Sequence, residues 1–193
     1  MNSDAGAVAS CDALPYTRTA IALHWLIALA VFAQIPFGWY LEEIPRGTPP
    51  RGWYVNLHKS IGVTLGVAIV FRAFWRWFHP PPAMPDWMPR WERIGANVTH
   101  TALYACMLIM PLAGYLASNF SKWGVKYFNT IDLPPWGVND ERIYAFFNGV
   151  HVATSYVFVT LIVVHVAGAV RHASRRDGIL QRMWLSRRRN KAL

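Results

Sequence analysis

Tyr144-Ala-Phe-Phe-Asn-Gly-Val-His151-Val-Ala-Thr-Ser-Tyr-Val-Phe-Val-Thr-Leu-Ile-Val-Val-His165-Val-Ala-Gly-Ala-Val-Arg-His172 is the stretch that decides the fold. It is long and apolar enough to cross a bilayer, for which about 20 residues suffice. Two histidines, His151 and His165, interrupt the apolar run 14 residues apart. At about 100° per residue, that separation falls only about 40° short of four full turns, so both rings leave one helix face. At about 1.5 Å rise per residue they lie roughly 21 Å apart along the axis, near opposite sides of the membrane. Ionisable side chains are costly in hydrocarbon and face the bundle interior. A helix that points one histidine at each leaflet from one face has the form of a wall shared by two stacked metal sites.

The composition agrees with a membrane setting. The chain has 193 residues, the size of one domain, with 54% hydrophobic and only 15% charged residues. Its mean hydropathy is +0.20. A soluble core is excluded by that balance. The ten Trp and eight Tyr cluster near the ends of apolar runs, as interfacial belts do. Of the two cysteines, Cys11 lies in a polar N-terminal stretch and Cys106 in mid-helix. This arrangement points away from a disulfide, and there is no Cys-x-x-Cys or iron–sulfur spacing. The first 15 residues have neither a basic n-region nor a short apolar h-region, so no cleavable signal is expected.

Working outward from the histidine helix, three further apolar runs predict helices over 16–41, 53–78 and 91–119. Residues 1–15 read as an N-terminal tail, 16–175 as a transmembrane domain and 176–193 as a basic tail. Pro36 and Pro111 fall inside helices and His79-Pro80-Pro81-Pro82 ends the second. The long aromatic loop 120–143 is expected to lie on the membrane surface or cap the bundle. Four spans put both termini on one side. With flanking helix ends included, 13 Lys and Arg fall on the terminal side and six on the other. By the positive-inside rule, both termini are then cytoplasmic. A basic tail directly after a span reads as a topology signal and a contact for anionic membrane lipid, not as a nucleic-acid arm.

Topology sets the depth of each histidine. His24 and His165 share the inner leaflet, and His58 and His151 share the outer one. Each pair presents two imidazoles across the bundle to one metal, a standard way to hold haem iron in a bundle core. The fold class is therefore all-α: an integral membrane four-helix bundle with haems in its core. Gly62 and Gly66 follow His58 at i+4 and i+8 and leave a smooth groove for a porphyrin, or else let two helices pack closely. Arg72 shares the His58 face at the other depth and would meet a haem propionate, with Arg18 in the same role near His24. Snorkelling to lipid phosphate is the other reading of Arg72. His100 stands in the inner leaflet as an alternative ligand, a propionate donor, a substrate contact or a structural histidine. His79 and His172 read as surface residues.

Four segments carry a family resemblance. They are Tyr16-Thr-Arg-Thr-Ala-Ile-Ala-Leu-His24-Trp25, Leu57-His58-Lys59-Ser60-Ile-Gly62, Thr99-His100-Thr-Ala-Leu-Tyr104 with Pro111-Leu-Ala-Gly114-Tyr115, and the His151 to His165 helix. Over nearly the whole chain it resembles the bacterial cytochrome b561 family of dihaem membrane proteins. The resemblance implies four transmembrane helices, two haems b and electron exchange with quinone. One branch of that family oxidises superoxide and passes electrons to ubiquinone. Another serves as the cytochrome b subunit of hydrogenases and similar dehydrogenases.

Two functional readings follow. In the first, the protein is an oxidoreductase between a periplasmic donor, superoxide among the possibilities, and ubiquinone. Lys59, Arg51, Lys122, Lys126 and Arg142 would form a basic mouth that attracts a small anion. Lys59, beside His58, is the first choice for a substrate contact. Trp25, His100, Tyr104 and Lys59 are candidates for the quinone site. In the second reading, the protein is an electron-carrier subunit that docks a dehydrogenase or a cytochrome c partner and has no substrate of its own.

Overall fold

A computed structural model describes residues 16–184. Four helices dominate it: α1 (Arg18–Glu43), α2 (Pro49–Phe78), α3 (Arg90–Asn119) and α4 (Glu141–Arg175). All four are long and apolar enough to span a membrane. Their outward faces are apolar and exposed, for example Leu26, Leu29, Phe32, Val67, Phe74, Val163 and Val170. Four such faces around one bundle are a lipid-facing surface, too large to leave in water. The chain is a multi-pass membrane protein.

Local chemistry explains why the helices start and stop where they do. Thr17 caps α1 by accepting a hydrogen bond from the Ala20 backbone amide at 3.2 Å. Helix α2 begins earlier than its hydrophobic pattern predicts. Pro49 and Pro50 occupy its first turn, where proline loses no hydrogen bond and its fixed φ suits the helix. Helix α4 likewise begins at Glu141, because Asp140 accepts from the amides of Arg142 and Ile143. At its far end α4 runs on to Arg175 and stops at Arg176 in the left-handed conformation. Part of the stretch read as a basic tail is structured. Residues Leu180–Met183 form a 3₁₀ turn, and Trp25 donates its indole N–H to the Met183 carbonyl at 2.9 Å. Cys11 and the arginines at 187–189 lie outside the described residues.

Helix α1 packs on α2, α2 on α3, and α3 most closely on α4. The central core joins Ile27 and Val31 of α1, Ile69 of α2, Leu103 and Cys106 of α3, and Phe158 of α4. At the end holding both termini, the buried Glu92 receives Arg171 and Arg175 of α4, each at 3.0 Å. At the opposite end, the loop 120–143 folds into a hairpin of β1 (Val125–Tyr127) and β2 (Ile131–Leu133), antiparallel with Lys126 opposite Asp132. Phe128 and Asn129 at its tip have positive φ.

The hairpin docks along α2 and does not simply lie over the bundle mouth. Ser60 is fully buried; it donates to the Asn56 carbonyl and accepts the Phe128 amide at 2.7 Å. Lys59 donates to the Gly124 carbonyl at 2.9 Å, and Thr64 and Tyr127 share a hydroxyl hydrogen bond at 2.8 Å. The periodicity of a strand pair inside a loop of only 24 residues was too short to register as secondary structure in the sequence.

Gly66 lies where α2 meets α3. A Cβ there would stand 3.3 Å from the Pro111 side chain. Its role is close helix approach, the alternative to a porphyrin groove. Gly66→Leu should therefore destabilise the bundle by about 1–3 kcal/mol through overpacking. A lowered thermal midpoint in detergent would be the signature, and an unchanged midpoint would show that the α2–α3 contact yields.

Candidate functional site

Two imidazole pairs cross the bundle toward α4. The rings of His24 and His165 have centroids 6.2 Å apart, and so do those of His58 and His151. The planes are inclined at 76° and 80°. These are the pairs expected from the sequence, with His100 left open at the terminal depth. The separation tests the fit of a metal between them. Imidazole–metal bonds of about 2.0–2.1 Å on both sides, with about 1.1 Å from nitrogen to ring centre, span about 6.2–6.4 Å between centroids. Both pairs stand at a spacing that would admit one metal between two ligands, and that spacing is also within the range of edge-to-face ring packing.

At the hairpin end, an apolar space lies beside His58 and His151. A cavity of about 70 Å³ is lined there by Gln34, Gly62, Leu65, Met107 and Phe158 as well as the two histidines. Its walls are apolar with few polar groups, the character of a cofactor site. Gly62 faces this space, with only the Gln34 amide within 4.0 Å of a hypothetical Cβ. The two ligand candidates are held differently. The His151 Nδ1 lies 2.8 Å from the Met110 carbonyl, an arrangement that makes Nδ1 the donating nitrogen and leaves the other free to accept or to bind a metal. Behind it, a Cβ on Gly114 would stand 3.0 Å from the same Nδ1. The His58 Nδ1 is buried without a hydrogen-bond partner, and a Cβ on Gly38 would stand 3.2 Å from that ring.

At the terminal end, His100 joins the other pair, its ring 5.3 Å from that of His165. Arg72 reaches into the bundle, where its Nε donates to the Tyr104 hydroxyl at 3.1 Å and another guanidinium nitrogen to the Ala20 carbonyl at 3.2 Å. Arg76 lies over the same tyrosine ring. Arg72 forms no ion pair among the described residues. Snorkelling out to lipid is thus not its geometry. Arg18 is exposed at the first residue of α1 and has no side-chain partner among the described residues. Trp25 packs edge-on to both His24 and Trp184.

Lys59 is placed otherwise than a free substrate contact would be. Its ammonium is half-buried and committed to the hairpin carbonyl of Gly124. Three of the other four expected mouth cations are also engaged, and Arg142 makes no side-chain hydrogen bond or ion pair among the described residues. Arg51 donates to the carbonyls of Leu41 and Ile44, Lys126 lies 4.0 Å from Asp132, and Lys122 lies over Trp123. Sequence reasoning passed over Gln34, Gly38 and Gly114. Gln34 carried a signal, being the single side-chain amide in the apolar run of α1. Gly114 stood in a segment that carries the family resemblance, but neither glycine showed its role in the sequence, because that role lies in what stands opposite it.

Gly114→Ala should push the His151 ring away from Met110. We expect a changed signature of the hairpin-end site alone in the low-spin electron paramagnetic resonance spectrum of the ferric protein. A spectrum identical to wild type would show that the ring tolerates the added methyl.

Residues 15–186 match the family described as prokaryotic cytochrome b561. The chain is also 30% identical over 173 residues to cytochrome b561 homolog 2 of Escherichia coli (strain K12), covering 87% of this chain and 90% of that protein. A family match over almost the full bundle, joined to four spanning helices that carry paired histidines, shows that this chain belongs to the prokaryotic cytochrome b561 family of membrane electron-transfer proteins.

Proposed function

We propose that the protein is a dihaem b-type cytochrome of the bacterial inner membrane that passes electrons between a periplasmic donor and ubiquinone. The observation that carries this reading is the pair of facing imidazole couples built on one helix, each with ring centroids 6.2 Å apart. His58 and His151 are the ligands at the hairpin end, and His24 and His165 those at the terminal end. A haem held by such a histidine pair would supply a reversible one-electron couple suited to electron transfer. The excess of Lys and Arg at the terminal end puts that end in the cytoplasm and the hairpin end in the periplasm.

Other residues take roles around these ligands. Arg72 is a cation inside the spanning region, where a charge costs about 2.5–3.5 kcal/mol at mid-bilayer on insertion scales. A propionate beside its guanidinium would offset that cost. Tyr104 holds Arg72 in place. Arg18, one and a half turns before His24, is a second propionate partner at the cytoplasmic surface. His100, against His165, is a hydrogen-bond donor to the same haem or to quinone. Gly62 leaves the wall of the outer cavity smooth.

Superoxide fits as the donor because it gives one electron, ubiquinone takes two, and two sites hold both. Two superoxide ions become two oxygen molecules, and one quinone takes up two electrons and two protons to become quinol. Lys59 is the substrate contact in this scheme and must leave Gly124 to act. A specific observation favours the carrier reading as a second possibility: four of the hairpin-end cations are already engaged within the protein. In that reading the hairpin face docks a dehydrogenase or a cytochrome c, and the protein has no substrate of its own.

The reduced-minus-oxidised spectrum of the purified protein should give two haems per chain, and His58→Ala or His151→Ala should leave only the terminal-end one. Two bis-histidine haems in either variant would break the pairing. A superoxide pulse should reduce the wild-type protein, and added quinone should reoxidise it. Lys59→Gln should slow the pulse reaction more at low salt than at high salt, since screening weakens a steering charge. Haems indifferent to superoxide, or a Lys59→Gln rate equal to wild type at both ionic strengths, would favour the carrier.

A further inference from the structure

Gln34 is a polar side chain in the middle of a span, where an unsatisfied amide is costly. It lies on α1, ten residues beyond His24, and its amide nitrogen donates to the backbone carbonyl of His58 at 2.9 Å. It also lines the cavity that His58 and His151 share. This contact ties α1 to α2 at the ligand itself, not a turn away from it. It matters because His58 lacks the usual anchor. A metal-ligating histidine normally donates its second ring N–H to a carbonyl or carboxylate that fixes its orientation. His151 has such an anchor in Met110, whereas the His58 Nδ1 is buried without one. In place of a ring hydrogen bond, His58 has Phe37 edge-on and Gly38 against its ring, and Gln34 on its backbone.

We propose that Gln34 is the positioning residue of His58, holding the ligand's backbone from the neighbouring helix in place of the ring hydrogen bond that His58 lacks. The inference rests on the dihaem reading above. It predicts an asymmetric site in which one ligand is oriented through its ring and the other through its main chain. Removing the Gln34 amide frees the His58 end alone, since His24 and His165 make no contact with it among the described residues.

The full-length protein in detergent tests this, with Gln34→Met and Gln34→Asn beside wild type. Met keeps the length and removes the donor; Asn keeps the donor and withdraws its reach by one methylene. Two readouts apply: transfer of haem to an excess of a haem-scavenging apoprotein, and the low-spin resonance lines of the ferric protein. His58→Ala identifies which line belongs to the hairpin end. In both variants that haem should leave about tenfold faster, the scale of one lost hydrogen bond, and its line should shift or broaden. The terminal-end haem should keep its wild-type rate and line. Wild-type behaviour of both haems in both variants would overturn the proposal. Equal acceleration of both haems would also overturn it, by showing a general loosening of the bundle. A wild-type protein with fewer than two haems would instead remove the reading on which the proposal rests.

Discussion

The structure depends on one spacing, the 6.2 Å between imidazole centroids that recurs at both ends of the bundle. Among the four spans, α4 packs closely on α3 alone. Toward α1 and α2 it presents histidines instead of a tight seam of apolar side chains. The helices are fixed relative to one another from elsewhere in the molecule. Glu92 clamps α4 to α3 at one end with two arginines, and the hairpin braces α2 at the other.

Helix α2 shows how one stretch of sequence serves two faces. Around the helix, His58, Gly62, Leu65 and Ile69 line the cavity. Asn56, Lys59, Ser60 and Thr64 turn to the other side and bind one another or the hairpin. The His-Lys-Ser-Ile-Gly segment is therefore more than a ligand with neighbours. Its histidine and glycine shape the interior, while its lysine and serine hold a loop that ends in two residues of positive φ. The buried Ser60 hydroxyl matters most there, because it meets a backbone amide that would otherwise be buried and unpaired.

The terminal end is organised around charge inside a low-dielectric space. Arg72 spans from α2 to the Ala20 carbonyl and the Tyr104 hydroxyl, so one guanidinium joins three helices. The planar donor set of arginine makes that possible where a lysine would supply a single point charge. Beyond it, Trp25 and Trp184 close the bundle under His24, with the 3₁₀ turn folded back to meet them.

The sequence by itself determined the spans, the fold class and the depth of each histidine, because hydrophobic length and helical phase are one-dimensional properties. Depth left one pair of histidines at the hairpin end, His58 and His151, but at the terminal end it left His100 open beside His24 and His165. The helix starts were less legible, because prolines and an aspartate cap act locally and extend helices past their apolar pattern. Only the tertiary structure decided the roles of Gly66, Lys59, Gln34, Gly38 and Gly114. Each of these is defined by an atom far away in the chain: a proline, a loop carbonyl, a histidine's backbone carbonyl and two imidazole rings. Such contacts depend on how helices rotate and approach one another, and that rotation is fixed by the sum of the packing, not by any one segment.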